Sequence, residues 1–368
     1  MSDTSIKSLF APVEFGGMKM RNRIVRSATC ENMANADRTP SRALLDLYEA
    51  LADEGPGLIM TSSTRADRTW EPPGSGTNMC LDRDESVPAF TELAGRIQAG
   101  GARAVVQLGP FFRYRDDFVG PSALPYAWAP PITPRALRAD EIHDISAIYG
   151  RAAERARRAG FDAVQLHAAH GFPLCDFLSP RFNRRDDEYG GSPENRARIV
   201  TEIADSIGKS AGRDFPVLIK INVADFCPDG MTVDDAVETA RVMIQNGISA
   251  IETSGGTTNH EMTGLGSADP SQWTEGYFLP FAERIRAETR APIIAVGGLR
   301  DPDMMQAAVD QGKADLTAMS RPFINEPRIV KRWLSGDRRP TDCISCNGCM
   351  DLFMQGQPIR CVLNEGGM

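Results

Sequence analysis

The chain has 368 residues, 42% of them hydrophobic and 24% charged, which excludes a disordered, collagen-like or membrane-embedded polymer. A formal net charge of −8, with no basic run, argues against nucleic acid as the main partner and for a small-molecule substrate. No run of about 18 apolar residues occurs, and the opening MSDTSIKSLFAPVEF lacks the basic and apolar segments of a secretory signal, so no membrane contact and a cytoplasmic location are expected.

From about residue 24 to 319, short apolar runs alternate with segments of helical period. Strand candidates are 24–29, 58–62, 104–108, 163–167, 216–222, 250–254, 292–296 and 315–319. Helix candidates among the intervening segments are 40–53, 140–159, 193–210, 233–246 and 302–311. Ser192-Pro193 and Asp301-Pro302 each place a capping side chain before a first-turn proline. Eight such units predict an α/β chain folded as a (β/α)8 TIM barrel, with its chemistry at the carboxyl ends of the strands. A doubly wound sheet binding a dinucleotide would need G-x-G-x-x-G after the first strand, and none stands there. Residues 111–138, with Phe111, Phe112, Tyr114, Tyr126, Trp128 and Pro130, interrupt the third unit and are expected to wall a substrate site. The expected division is a barrel over 1–339 and a cysteine-rich segment over 340–368.

That segment reads Cys343-Ile-Ser-Cys346-Asn-Gly-Cys349, with Cys361 further on. In a reducing compartment such a cluster points to metal ligation rather than disulfides. Three thiolates at C-x2-C-x2-C spacing with a distant fourth suit a 4Fe-4S cluster. Structural zinc usually takes two separated pairs and remains the alternative, beside four unrelated thiols. A cluster exchanges single electrons, so the barrel should hold a group able to do likewise, and flavin qualifies.

Period-two alternation places Leu218, Lys220 and Asn222 on the inward face of their strand, and Gln107, Gln165 and His167 inward on theirs. A buried Lys220 ammonium needs an anion: a reduced flavin, or a barrel carboxylate. Gly297-Gly298 after the seventh strand and Ser320-Arg321 after the eighth stand where many barrels bind phosphate, although a glycine pair also serves a tight turn. His167 and His170 end the fourth strand and His260 follows the sixth. Two imidazoles on one carbonyl oxygen would polarise a conjugated alkene for hydride addition.

These residues resemble the Old Yellow Enzyme family of FMN barrels, and especially its iron-sulfur branch. The likeness rests on Asn22-Arg23-Ile24-Val25, Gln107-Leu108-Gly109, the run from His167 through Pro180, Tyr189 to Arg196, Ala295 to Gly298, and the cysteine tail. It implies FMN contacts from Ala28, Thr29, Cys30, Ser63, Gln107, Lys220, Gly297, Gly298, Ser320 and Arg321. It makes His167 and His170 the substrate-anchoring pair and Cys343, Cys346, Cys349 and Cys361 the 4Fe-4S ligands. The implied activity is reduction of an activated C=C bond in an α,β-unsaturated carbonyl or enoyl-CoA compound. An amine or C–H dehydrogenase, or a non-catalytic electron-transfer subunit, is the alternative. The family's proton-donating tyrosine is replaced by Phe172, so another acid protonates the α-carbon or the chemistry differs. His260-Glu261 resembles a histidine-glutamate pair near the flavin in part of the branch, which makes His260 the candidate acid. Cys30 stands at a flavin-tuning position, as a hydrogen-bonding thiol, a covalent link or an inert cysteine. Familiar members of the branch continue into FAD- and NAD(P)H-binding domains. The expectation is therefore that NAD(P)H acts indirectly, through an electron-transfer protein or an FAD/NADH-binding subunit. A homo-oligomer is also expected.

Overall fold

The computed structural model describes residues 8–67, 78–127, 131–258 and 274–364. Eight strands lie within it: β1 (Ile24–Arg26), β2 (Leu58–Met60), β3 (Arg103–Leu108), β4 (Ala163–Ala168), β5 (Val217–Asn222), β6 (Ala250–Ser254), β7 (Ile293–Val296) and β8 (Leu316–Met319). Each pairs in parallel with its neighbour in sequence, and β8 pairs with β1 to close the barrel. The predicted α/β barrel is therefore the observed one.

The main surrounding helices are α1 (Arg42–Asp53), α2 (Val87–Ala99), α3 (Ala139–Arg158), the short α4 (Pro173–Leu178), α5 (Pro193–Ser210), α6 (Val233–Gln245), α7 (Leu279–Thr289) and α8 (Pro302–Asp310). The side chains of Ser41, Ser192, Thr232 and Asp301 accept first-turn N–H groups of α1, α5, α6 and α8. Those donors have no partner within the helix, so each cap contributes about 1 kcal/mol. Three short helices close the chain: α9 (Arg321–Asn325), α10 (Ile329–Leu334) and α11 (Gly348–Met354). Among the described residues no helix is long and apolar enough to cross a membrane.

Alternation along the strands divides the apolar side chains into two clusters. Ile219, Ile221 and Ile251 face the helices, whereas Leu218, Ala250 and Ile294 fill the lumen with Val25, Leu58, Met60 and Val105. The lumen cluster also takes Phe15, Met18 and Met20 from a hairpin of Val13–Phe15 and Met18–Met20 that the sequence reading missed. Arg103, at the start of β3, donates to the Lys19 carbonyl at 2.6 Å, so the hairpin plugs the amino-terminal mouth. Its signal was Gly16-Gly17, both at positive φ, between apolar positions that alternate.

Two expectations change in detail. β1 and β2 end at Arg26 and Met60, short of the expected 29 and 62, although the Ser27, Thr61 and Thr64 N–H groups still donate to the Met319, Val105 and Gln107 carbonyls. Within the connection at 111–138, Arg113–Tyr114, Asp117–Gly120 and Arg135–Ala136 form a small sheet. Trp128 and Pro130 lie outside the described residues.

Candidate active site

A hydrogen-bonded layer of polar side chains crosses the lumen above the apolar cluster. Gln107 of β3 donates to Gln165 of β4 at 2.7 Å, and Gln165 donates to Glu252 of β6 at 2.7 Å. Lys220 of β5 donates to Glu252 at 3.2 Å and, across the barrel, to the Ser27 hydroxyl at 3.0 Å. Ser27 in turn donates to Glu252 at 2.6 Å. All five side chains are buried. The expected inward direction of Gln107, Gln165 and Lys220 is observed, and of the two anions considered for Lys220 the barrel carboxylate is present. Glu252 was missed, although Ala250, Glu252 and Ser254 share the inward parity of their strand.

His167 and His170 stand above this layer with their rings 5.3 Å apart and edge to face. His170 adopts a φ of 66°, an uncommon backbone state for a residue with a side chain. Asn222, at the end of β5, holds it there by accepting its backbone N–H at 3.0 Å. The His170 Nε2 lies 2.6 Å from the Ser254 hydroxyl. The Ala169 N–H donates to His167 Nδ1 at 3.4 Å, which leaves the proton of a neutral ring on Nε2. Burial pushes His167 well below its ordinary value, with the neighbouring His170 and the charges of Lys220 and Arg65 adding to the effect. Burial and Lys220 bring His170 down to about 3. Both rings are thus neutral near pH 7 and able to donate one N–H each. Phe172 packs on His167 at 4.7 Å and on Phe112 at 5.8 Å, an apolar wall at the place of the family tyrosine. His260 lies outside the described residues.

The segment after β1 carries the next group. Thr29 and Ser320 share a hydrogen bond of 2.7 Å, joining the ends of β1 and β8. The Cys30 thiol donates to Asn78 at 2.7 Å; burial and the neighbouring Glu31 carboxylate push it up to about 12, so it stays protonated. Below it a buried Arg26–Glu31 pair at 2.5 Å is joined by Tyr48, whose hydroxyl donates to Glu31 at 3.1 Å and accepts the Ser62 N–H at 2.6 Å. Ala28 packs on the lumen cluster, and the Ser63 hydroxyl lies tight against Gly109 at the end of β3. Gly297 and Gly298 have φ of 124° and 68°, and a Cβ on either would meet the rings of Tyr277 or Phe278 at 2.5 to 2.8 Å. Aromatic packing alone therefore requires this pair to be glycine. Arg321 donates to Asn347 of the tail at 2.6 Å.

The tail lies over the same end of the barrel. Asn32 donates to the Phe353 and Gln357 carbonyls at 3.1 and 3.2 Å, and the Ile359 N–H donates to the Glu31 carbonyl at 3.1 Å. Arg300 donates to the Cys343 carbonyl at 3.2 Å, and Asn325 to the Cys361 sulfur at 3.4 Å. Cys349 is pushed up by burial, with Cys343 and Cys346 contributing, while Arg321 opposes them. Among the described residues no three His, Cys, Asp or Glu side chains converge as ligands of one ion would.

Residues 8–339 match the model of the NADH:flavin oxidoreductase / NADH oxidase family. The chain belongs to that family. The resemblance to Old Yellow Enzyme drawn from the sequence is borne out by this match. Within the family, an NADH oxidase of Thermoanaerobacter brockii is 32% identical over 98% of this chain and 56% of its own length. A cinnamate reductase of Clostridium sporogenes is 29% identical over 97% and 57%. The chain thus spans about half the length of these curated relatives. The solved structure of histamine dehydrogenase from Rhizobium sp. 4-9 superposes with a TM-score of 0.85 at 29% identity, over 97% of this chain and 52% of that one.

The family binds FMN, and the barrel mouth suits it chemically. Gln107 and Lys220 offer an amide and a cation beside a planar polar edge, and Ser320 and Arg321 a hydroxyl and a cation beside a phosphate. The tail offers four thiols with amide and guanidinium donors around them.

Proposed function

We propose that the chain is an FMN- and 4Fe-4S-dependent oxidoreductase that reduces the activated C=C bond of an α,β-unsaturated carbonyl or enoyl-CoA compound. The observation that carries this reading is the pair of neutral imidazoles, His167, beside Lys220 in the strand register, and His170, with rings 5.3 Å apart. FMN, when bound, supplies the hydride. His167 and His170 donate to the carbonyl oxygen and stabilise the negative charge that grows there as hydride reaches the β-carbon. Lys220 and Gln107 take the pyrimidine edge of the cofactor, Ala28, Thr29 and Ser63 border it, and Gly297, Gly298, Ser320 and Arg321 take its phosphate. Cys30 acts as a protonated thiol, a poor nucleophile, which favours a hydrogen bond over a covalent link. Phe112, Tyr126 and Phe172 exclude water from one side, and His260 is assigned the proton for the α-carbon.

Cys343, Cys346, Cys349 and Cys361 are assigned to the cluster. Their support is the C-x2-C-x2-C spacing with a fourth cysteine further on, which is how four-cysteine clusters would be held. The similarity to cinnamate reductase supports the C=C substrate. Five of the seven exposed large hydrophobic side chains among the described residues (Ile344, Met350, Met354, Val362 and Leu363) lie on the tail, the face an electron donor or acceptor would cover. A second reading, oxidation of an amine with electrons leaving through the cluster, is favoured by the histamine dehydrogenase likeness.

Rapid mixing of the photoreduced protein with a cinnamate-type enoate or an enone, without oxygen, tests the assignment. Flavin absorbance should return at a rate that rises with substrate, and more slowly in His260→Ala. A reduced flavin indifferent to every conjugated acceptor, with an oxidised flavin bleached by a methylated amine, would establish the second reading instead.

A further inference from the structure

Glu252 has no exposed surface, yet three side chains donate to it and both carboxylate oxygens are engaged. A buried carboxylate costs several kcal/mol unless it is paired and hydrogen-bonded, so its place in the middle of β6 demands a function or a partner. Its partner is Lys220, opposite it in the β5–β6 register. Ser27 accepts from the ammonium and donates to the carboxylate, so one hydroxyl fixes both groups. Near the pair stand His167, beside Lys220 in the β4–β5 register, and His170, both neutral, and Gln165, uncharged, while Arg65 lies within electrostatic reach of His167. Arg26 is occupied by Glu31. The Lys220–Glu252 pair therefore carries no net charge.

We propose that Glu252 is a positioning residue that aims Lys220 at the cofactor and offsets its charge, setting the reduction potential of the bound flavin below the value a lone lysine would give. The inference rests on the FMN reading above. Two electrons and one proton reduce the flavin to its anionic form, leaving one negative charge on the N1–O2 edge. An unopposed ammonium would favour that anion over the neutral oxidised ring, whereas a neutralised ammonium favours it less. Lys220 thus supplies direction and hydrogen bonding, while Glu252 keeps the reduced flavin a willing hydride donor.

Anaerobic dithionite titration at one pH, read in the flavin absorbance band, tests this on the purified holoprotein. Glu252→Gln should raise the reduction equilibrium at least about tenfold, which is about 30 mV for a two-electron couple. Glu252→Asp keeps the charge and should stay within that margin. Lys220→Gln should lower the potential, and Lys220→Gln/Glu252→Gln should fall nearer wild type than the single lysine variant. The double variant leaves no unpaired buried charge, so it carries the test even where Glu252→Gln does not fold. An E252Q potential at or below wild type, or a double variant as low as Lys220→Gln, would overturn the inference. A wild-type protein that binds no flavin would instead contradict the FMN reading, and would be colourless before any titration.

Discussion

The barrel mouth and the cysteine tail lie side by side but owe their geometry to different causes. In the mouth, Gln107, Gln165, Lys220 and Glu252 come from four strands whose register fixes their spacing, and they bond to one another without a ligand. In the tail, α11 buries only Leu352, Cys346 is exposed, and the hydrogen bonds holding the segment run mainly to loops. A site on strand ends is preorganised by its scaffold, whereas a site on a tail takes much of its order from what it binds. The segment after β1 joins the two, since Thr29 bonds Ser320 at the end of β8 while the Glu31 carbonyl and the Asn32 amide hold the tail.

The sharpest division between the two regions is functional. His170→Ala should slow hydride transfer to an enone by about 10² to 10³, the usual cost of one oxyanion donor, while flavin and iron contents remain those of wild type. Stopped-flow reoxidation with parallel cofactor analysis checks this; loss of iron along with rate would mean that the regions are not separable.

A smaller effect is expected on stability. Because His167 and His170 are held below the ordinary 6.5, the unfolded chain binds protons that the folded mouth refuses. The His170 contribution is present above about pH 6.5 and is lost as pH falls from there toward about 3, and the His167 contribution is lost in the same direction. Urea unfolding of flavin-free protein should show this decline, and His170→Phe should make it shallower. Equal slopes in the two proteins would show that the ring is not held neutral.

The barrel was legible in the sequence because parallel strands buried on both faces leave short apolar runs, and proline and capping residues mark several helix starts. The inward direction of Lys220 and Gln107 followed from parity alone. Glu252 was not read, because an acidic residue inside a barrel makes sense only once the lysine on the adjacent strand is known to face it. The hairpin escaped because strands of three residues are too short for periodicity. Asn32 could not be connected with Phe353 and Gln357 from the sequence, since that contact joins residues more than 300 positions apart and leaves no local pattern.

On the proposed reading the fold alone builds the mouth for flavin, whereas the tail would be completed by a cluster. Hydrogen exchange on the anaerobically prepared protein, before and after adding FMN and then ferrous iron with sulfide, tests it directly. FMN alone should bind and leave residues 343–361 exchanging fast, and incorporation of about four irons should then slow exchange across that tail while β4 to β6 hardly change. A protein that takes up neither flavin nor iron, or a tail equally protected without them, would contradict the account.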